Sequence, residues 1–113
     1  MKLAIVGTRN PSISYERFCQ FVQNYPISEV ISGGAKGIDS FAARFAHERN
    51  LPLTEFRPDY SSYGKAAPIV RNSLIVAAAD RVIAFPNSAS RGTLDTINKA
   101  LSVGKIIRVV HIP

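Results

Sequence analysis

The sequence predicts an α/β three-layer sandwich, in which helices cover both faces of a five-stranded parallel sheet of order 3-2-1-4-5. The first observation is that short β-rich runs alternate with helical repeats along the whole chain. Such alternation gives parallel strands, because each helix carries the chain back across the sheet. The second is size, since 113 residues that are 46% hydrophobic suit a single domain over 1–113. Right-handed crossovers then favour the order 3-2-1-4-5.

The elements follow from local patterns. Apolar runs with the length and composition of strands cover 3–7, 29–32, 53–57, 81–85 and 105–110. Segments with apolar residues at helical spacing cover 15–25, 38–49, 69–79 and 94–101. Ser12 or Ser14 is the expected cap of the first helix. Prolines beside the third strand predict a sheet edge, and the polar stretch 59–65 is predicted to be a loop. The third helix, 69–79, is apolar nearly all round and is expected to be well buried.

Composition narrows the function classes. Fourteen basic and eight acidic residues give a net charge of +6, which attracts polyanions at long range. No apolar run approaches the roughly 20 residues of a membrane span, so no membrane partner is expected. Cys19 is the single cysteine, which excludes an internal disulfide, and we expect it in the core of a cytoplasmic protein. No metal-ligand spacing is present, and no cofactor or metal is expected.

The predicted fold also predicts where a ligand binds. In such sheets ligands lie outside the carboxyl ends of the strands at the switch point, here between the first and fourth strands. The first segment to reach that edge is Gly7-Thr8-Arg9. Gly7 allows close approach of the backbone, Thr8 offers a hydroxyl, and Arg9 offers a planar fork for phosphate or carboxylate.

The second segment, Ser32–Asp39, connects the second strand to the second helix. It contains three glycines, Gly33, Gly34 and Gly37. A tight glycine-rich turn can direct backbone N–H groups outward at a helix N-terminus, where they bind anions. Lys36 adds a positive charge, and Asp39 in the first helical turn favours the helix dipole and can pin the loop. The spacing matches neither the dinucleotide-binding fingerprint nor the Walker A loop.

The third segment, 87–93, precedes the fourth helix and repeats this pattern with small residues and hydroxyls, among them Ser90, Gly92 and Thr93. Thr93 is a further cap candidate. Arg71 and Asn72 lie near the start of the apolar third helix, where a charged pair must face solvent or a polar site. We expect them to face the site formed by these turns.

Three of these runs together resemble the SLOG superfamily of Rossmann-like domains. They are the segment 32–39, the pair Arg71-Asn72 and the segment 90–94, and the resemblance covers nearly the whole chain in order. The segment 32–39 is most similar to the DNA-processing protein A (DprA/Smf) family. The stretch 63–67 resembles the small YspA-like members, and lonely-guy (LOG) phosphoribohydrolases are more distant relatives.

The resemblance implies three alternative functions. The small members imply binding of a nucleotide or a nucleotide-derived phosphate ligand, which we favour. DprA-like proteins imply single-stranded DNA in a basic pocket, where the match places Lys36 and Arg71, and Tyr60 and Tyr63 could stack on bases.

The third alternative is a LOG-like phosphoribohydrolase, whose arginine Arg71 matches. The catalytic glutamate of that family falls on Thr96, with Asp95 one residue earlier, and the glycines that follow its motif proline are Asn87 and Ser88. No complete catalytic set is present, so we favour a binding protein over an enzyme and keep Arg71 and Asp95 as the catalytic candidates. Because family members often dimerise, we also expect a homodimer with helix 69–79 near its interface.

Overall fold

Strands and helices alternate along the chain as the sequence predicts, and the computed structural model describes residues 1–113 throughout. The strands are β1 (Lys2–Gly7), β2 (Glu29–Ser32), β3 (Leu53–Glu55), β4 (Arg81–Phe85) and β5 (Ile106–Val109). The helices are α1 (Tyr15–Val22), α2 (Ile38–Glu48), α3 (Tyr60–Tyr63), α4 (Ala67–Ala78) and α5 (Arg91–Ser102), and a 3-10 turn covers Gly64–Ala66. None of the helices has the length and hydropathy that a membrane span requires.

The sheet confirms the predicted topology. Its order is β3-β2-β1-β4-β5, and all neighbouring strands are parallel. The short, mixed-polarity β3 lies at an edge, where its prolines break no interior ladder. Because all the strands run the same way, the connections that follow β1, β2 and β4 emerge at one edge of the sheet.

The two faces of the sheet are packed differently. Alternate side chains of a strand point to opposite faces, so Leu3 and Ile5 of β1 join a core beneath α1 and α2 that contains several aromatic rings. Ala4 and Val6 face the other way, into a core of small and β-branched residues under α4 and α5. The result is the expected three-layer sandwich. Cys19 is half-buried and packs against the first core.

The region 59–65 differs from the prediction of a loop. It contains α3 and the 3-10 turn, because Asp59 caps the helix by accepting a hydrogen bond from the Ser62 amide at 3.1 Å. The chain then enters α4 at Ala67, with Pro68 in the first turn, where the missing N–H has no partner to lose. Sequence periodicity missed α3 because one helical turn is too short to show a repeat.

The prediction that the third helix is well buried is wrong for one face of it. Ile69 is 54% and Leu74 is 48% exposed, while Ile75 and Val76 are buried. A uniformly apolar helix has no polar face to mark the solvent side, so the sequence could not show which residues would meet the sheet. Here only one side of α4 packs on the sheet and on α5.

The structure decides which of the predicted residues cap α1 and α5. Ser14 caps α1, since its side chain accepts a hydrogen bond from the Arg17 amide at 3.0 Å. The fourth predicted helix begins at Arg91, after Ser90, and is therefore α5 of the structure. Thr93 lies inside its first turn, which excludes the predicted capping role and leaves its hydroxyl for other partners.

Candidate functional site

A cleft of about 350 Å³ lies at the carboxyl edge of the sheet, between the connections that follow β1, β2 and β4. This is the switch point at which the fold was expected to bind a ligand. The structure brings most of the predicted site residues together here, and those that line the cleft are Gly7, Thr8, Arg9, Gly33, Asp39, Arg71, Asn72, Gly92 and Thr93.

Five predicted residues lie just outside the cleft. Gly34 and Lys36 line an adjoining pocket of about 500 Å³, which shares Arg9, Gly33 and Arg71 with the cleft. The other three shape the turns. The Ser32 hydroxyl accepts a hydrogen bond from the Gly34 amide at 3.2 Å, and the Ser90 hydroxyl bonds to Asn87. Gly37 is the residue before α2.

Close packing accounts for glycine at two positions of the turn after β2. A side chain on Gly33 would place its Cβ 2.6 Å from Arg71 Nη1 and 2.9 Å from Asp39 Oδ2. Gly37 has φ +74°, and its Cβ would lie 2.4 Å from the carbonyl oxygen of Thr8. The Ile38 amide also bonds to that Thr8 oxygen at 3.1 Å, so the loop after β1 is held against the start of α2. This turn is a tightly packed connection.

Asp39 combines a fixed oxygen with one that lacks a partner. Its Oδ2 accepts a hydrogen bond from the Ala35 amide at 3.1 Å, so it pins the loop as predicted. Its Oδ1 accepts no hydrogen bond from the protein. Because no fully buried side-chain nitrogen or oxygen in the chain lacks a partner, and because Asp39 lines the cleft, Oδ1 is accessible from the cleft although the residue is only 7% exposed.

The environment of Asp39 disfavours its charged form. Burial raises the pKa of this carboxyl to about 6, and the Ala35 amide, Arg71 and Arg9 only partly oppose that rise. A buried carboxylate with a raised pKa in a cleft is a common property of functional sites. Asp39 therefore carries both the geometry and the electrostatics of a ligand-binding group.

The Arg71 side chain extends from α4 to the backbone that follows β2. Its Nη1 donates to the carbonyl oxygens of Gly33 at 2.8 Å and Phe56 at 3.3 Å, and its Nε donates to Asn72 Oδ1 at 3.0 Å. Burial lowers the pKa of Arg71 from its usual value, with Asp39 opposing, but an arginine keeps its charge in proteins. The Nη2 group has no acceptor within the protein, so it is available to a ligand.

The start of α5 presents unpaired donors to the same cleft. The amides of Gly92 and Thr93 have no acceptor in the protein, and the Thr93 hydroxyl has no partner although the residue is buried. Nothing lies within 4 Å of the position that a Cβ on Gly92 would occupy. Asn72 Nδ2 fixes this helix start by donating to the Gly92 carbonyl at 3.2 Å. These are the features of an anion site at a helix N-terminus.

The charges around the cleft are predominantly positive. Arg9, Lys36 and Arg91 are exposed at its rim or in the adjoining pocket and make no ion pair. Two carboxylates outside the cleft are already paired, Glu55 with Arg57 at 3.3 Å and Asp95 with Lys99 at 2.6 Å. Arg91 is not among the site residues predicted from the sequence, although a basic residue directly before Gly92 is a reason to include it.

Asp95 does not line the cleft. Its carboxylate accepts hydrogen bonds from Lys99 and from Asn72, and although burial tends to raise its pKa, these partners outweigh burial and leave the pKa below its ordinary value. Thr96, the neighbouring residue, does line the cleft, but its hydroxyl donates to the Gly92 carbonyl at 3.3 Å. No group of His, Cys, Asp and Glu side chains could hold a metal ion.

Comparison with known proteins identifies the family of this chain. The model of the "YspA, cpYpsA-related SLOG family" matches residues 2–63, so the chain belongs to this family. It is 35% identical over 81 residues to the Gene 61 protein of Mycobacterium phage D29, a match that spans 66% of this chain and 65% of the phage protein. No solved structure matches it.

Proposed function

We propose that this member of the YspA-related SLOG family binds a nucleotide or a nucleotide-derived phosphate ligand, with its phosphate at the start of α5. One observation carries the proposal. The amides of Gly92 and Thr93 and the Thr93 hydroxyl lack partners in the protein and belong to residues that line one cleft. Unpaired donors at a helix N-terminus, together with the helix dipole, stabilise a bound anion.

The surrounding charges support a phosphate in this position. Arg9 and Arg91 are exposed cleft residues without ion pairs, and Arg71 has an unoccupied Nη2 group. Arginine binds phosphate oxygens through charge-assisted, often bidentate, hydrogen bonds. Lys36 in the adjoining pocket can reach a second phosphate or an extended part of the ligand as a point charge.

The dimensions suit a small ligand. The cleft of about 350 Å³ lies within the range of roughly 300–1,000 Å³ that is usual for small-molecule sites. The adjoining pocket adds about 500 Å³ and shares five lining residues with the cleft. A ligand larger than the cleft, such as a dinucleotide or a nucleotide sugar, could extend into the second space.

The test is a titration of wild type, Lys36→Ala and Arg71→Ala with inorganic phosphate and a panel of nucleoside mono-, di- and triphosphates. Each charge-assisted contact contributes roughly 1.5–3 kcal/mol, so either substitution should weaken binding about ten- to a hundred-fold. Lys2→Ala is the matched control, because it removes the same charge from an exposed residue at the opposite end of β1. If neither substitution weakens any ligand that wild type binds, the assignment of this cleft is wrong.

A specific observation also keeps single-stranded DNA as a second candidate. Tyr60 is 59% and Tyr63 is 51% exposed on α3, just after Pro58 of the adjoining basic pocket. Exposed aromatic rings beside positive charges are typical of single-strand binding surfaces. DNA binding predicts an affinity for oligonucleotides that falls steeply with salt, whereas a mononucleotide shows a shallow slope. No comparable observation favours phosphoribohydrolase activity.

A further inference from the structure

Within this cleft, the charge of Asp39 exceeds what the fold needs. Its contact with the backbone uses Oδ2 alone, which accepts from the Ala35 amide. An asparagine could accept the same hydrogen bond without placing a charge in a 7% exposed position. The second carboxylate oxygen lacks a protein partner, is not fully buried and belongs to a residue that lines the cleft. The turn therefore needs only one carboxylate oxygen of Asp39, and a ligand that donates a hydrogen bond would give the other a role.

An ionised carboxylate selects what it binds. It accepts hydrogen bonds and donates none, so it attracts hydroxyl or amino groups and repels a phosphate. The N–H and O–H donors of Gly92 and Thr93 instead favour an anionic group such as a phosphate. One ligand that satisfies both must carry an anionic group at the start of α5 and a hydrogen-bond donor at Asp39.

The shape of the cleft indicates which donor this is. The cleft that Asp39 lines is bordered by small polar and apolar residues, such as Thr8, Ala35 and Ile75, and no aromatic side chain lines it. It therefore offers a base no ring on which to stack. A sugar is joined directly to its phosphate, so it must occupy the same small cleft.

On these grounds, and building on the proposed nucleotide function, we propose that Asp39 Oδ1 accepts a hydrogen bond from a ribose hydroxyl and makes the cleft selective for ribosyl over deoxyribosyl phosphates. Asp39 is then a specificity-determining residue. The raised pKa of its carboxyl agrees with this role, because a hydroxyl donor would stabilise the charge that burial disfavours. The selectivity also disfavours DNA as the ligand of this cleft.

Calorimetric titration at pH 8 of wild type and Asp39→Asn tests the proposal with matched probe pairs. The probes are ribose 5-phosphate against 2-deoxyribose 5-phosphate, and AMP against 2′-deoxy-AMP and 3′-deoxy-AMP. A site that bonds a hydroxyl through a charged group should bind the ribose form about ten- to a hundred-fold more tightly than at least one deoxy form. Asp39→Asn should bring the two forms within about threefold of each other.

Glu55→Gln is the control, because it removes the same charge from a neighbouring carboxylate that does not line the cleft. It should keep the ribose preference. Equal binding of ribose and deoxyribose forms by wild type would overturn this inference, and would leave nucleotide binding standing if that binding still depends on Arg71. Binding of no phosphate compound would remove both proposals. A preference that survives in folded Asp39→Asn would assign the discrimination to another group and overturn the role of Asp39.

A measurement on wild type alone tests the proposal even if the Asp39→Asn variant does not fold. The charged groups that face Asp39 are Arg71 of α4, Arg9 after β1 and Glu55 of β3. The ribose to deoxyribose ratio cancels the titration of the phosphate, which both probes share. The ratio should shrink several-fold from pH 8 to pH 5 as Asp39 gains a proton. A constant ratio across this range would contradict the proposal.

Discussion

The two glycine-rich turns look alike in the sequence but differ in the structure. In the turn after β2, Gly37 is required because a side chain there would collide with the Thr8 and Arg9 backbone at a positive φ, whereas a side chain on Gly33 would displace the ends of the Arg71 and Asp39 side chains. In the turn after β4, Gly92 has open space where a Cβ would lie. In the first turn, the Gly34 amide donates a hydrogen bond to the Ser32 hydroxyl and the Ala35 amide donates one to Asp39 Oδ2. The second leaves the amides of Gly92 and Thr93 unpaired.

This difference shows that a run of glycines is not by itself an anion site. Glycine permits a tight turn, and the turn can serve to pack the fold or to present donors to a ligand. What separates the two cases is whether the glycine packs against protein, as Gly37 does, or has open space beside it, as Gly92 does. The turn after β2 supplies part of the cleft wall and leads to the Asp39 carboxylate, and the turn after β4 leads to the unpaired amides of Gly92 and Thr93.

The largest expected effect tests the structural role of the first turn. Gly37→Ala places a Cβ against the Thr8 carbonyl at a positive φ, so we expect a loss of about 3 kcal/mol or more in the free energy of unfolding. Urea denaturation measures it. A variant as stable as wild type would show that this turn is as permissive as the turn after β4.

The second prediction concerns the charge of Asp39. Its carboxyl pKa rises from 3.8 to about 6 in the folded protein, so the native state holds the proton more tightly than the unfolded chain does. Wild-type stability should therefore fall as pH rises through this window and stay lower above it. Asp39→Asn should be more stable than wild type by up to about 3 kcal/mol above pH 7, and the gain should vanish near pH 4.

Denaturation of both proteins at pH 4, 6 and 8 checks this prediction. The matched variant Glu55→Gln, whose carboxylate is partly exposed and paired with Arg57, should show no comparable gain. A folded Asp39→Asn protein that is less stable than wild type at pH 8 would indicate that the charge supports the first turn. The destabilising charge would then no longer point to a ligand.

Arg71 links the two roles. Its removal leaves the carbonyls of Gly33 and Phe56 without this donor, so Arg71→Ala should lower the free energy of unfolding by about 1–3 kcal/mol in addition to weakening binding. Lys36→Ala, which removes an exposed charge without a hydrogen bond, should weaken binding with a stability change within about 0.5 kcal/mol. Thermal melts separate the two variants, and equal stability losses would contradict the distinction.

Gly92→Ala isolates the second turn. Because the new methyl group meets nothing in the protein and alanine favours a helix over glycine by up to about 1 kcal/mol, stability should be unchanged or slightly raised. Binding of AMP should weaken by about tenfold, since the methyl group enters the cleft beside the phosphate donors. A clear loss of stability would give this glycine a structural role like that of Gly37.

The smallest expected effect concerns assembly. Ile69 and Leu74 of α4 and Leu94 and Leu101 of α5 are exposed apolar residues on two helices that pack against each other. A second copy of a chain with net charge +6 meets the least repulsion on an uncharged face. We expect a homodimer through this face that Ile69→Lys disrupts, as light scattering would show. A wild-type monomer at high concentration would contradict this.

The amino-acid sequence determined the order of elements and, through it, the parallel sheet of order 3-2-1-4-5 and the edge at which a cleft forms. Alternating patterns and crossover handedness are properties of the chain itself, and they suffice to bring Gly7, Gly33 and Gly92 to one place. Ser14 as a cap candidate and the pinning of the loop by Asp39 were also predictable, because they involve residues a few positions apart.

The tertiary structure decided which groups remain without partners. The sequence could not show that one face of α4 is exposed, that Asp59 starts a short helix, or that Asp95 is held by Lys99 and Asn72 away from the cleft. It also could not separate the two glycine turns, because whether an amide, a carboxylate oxygen or a missing Cβ faces protein or open space depends on neighbours distant in the chain. Asp39 and Gly92 lie far apart in the chain, and only folding places both on one cleft, where burial raises the pKa of the Asp39 carboxyl and the Gly92 amide is left without an acceptor.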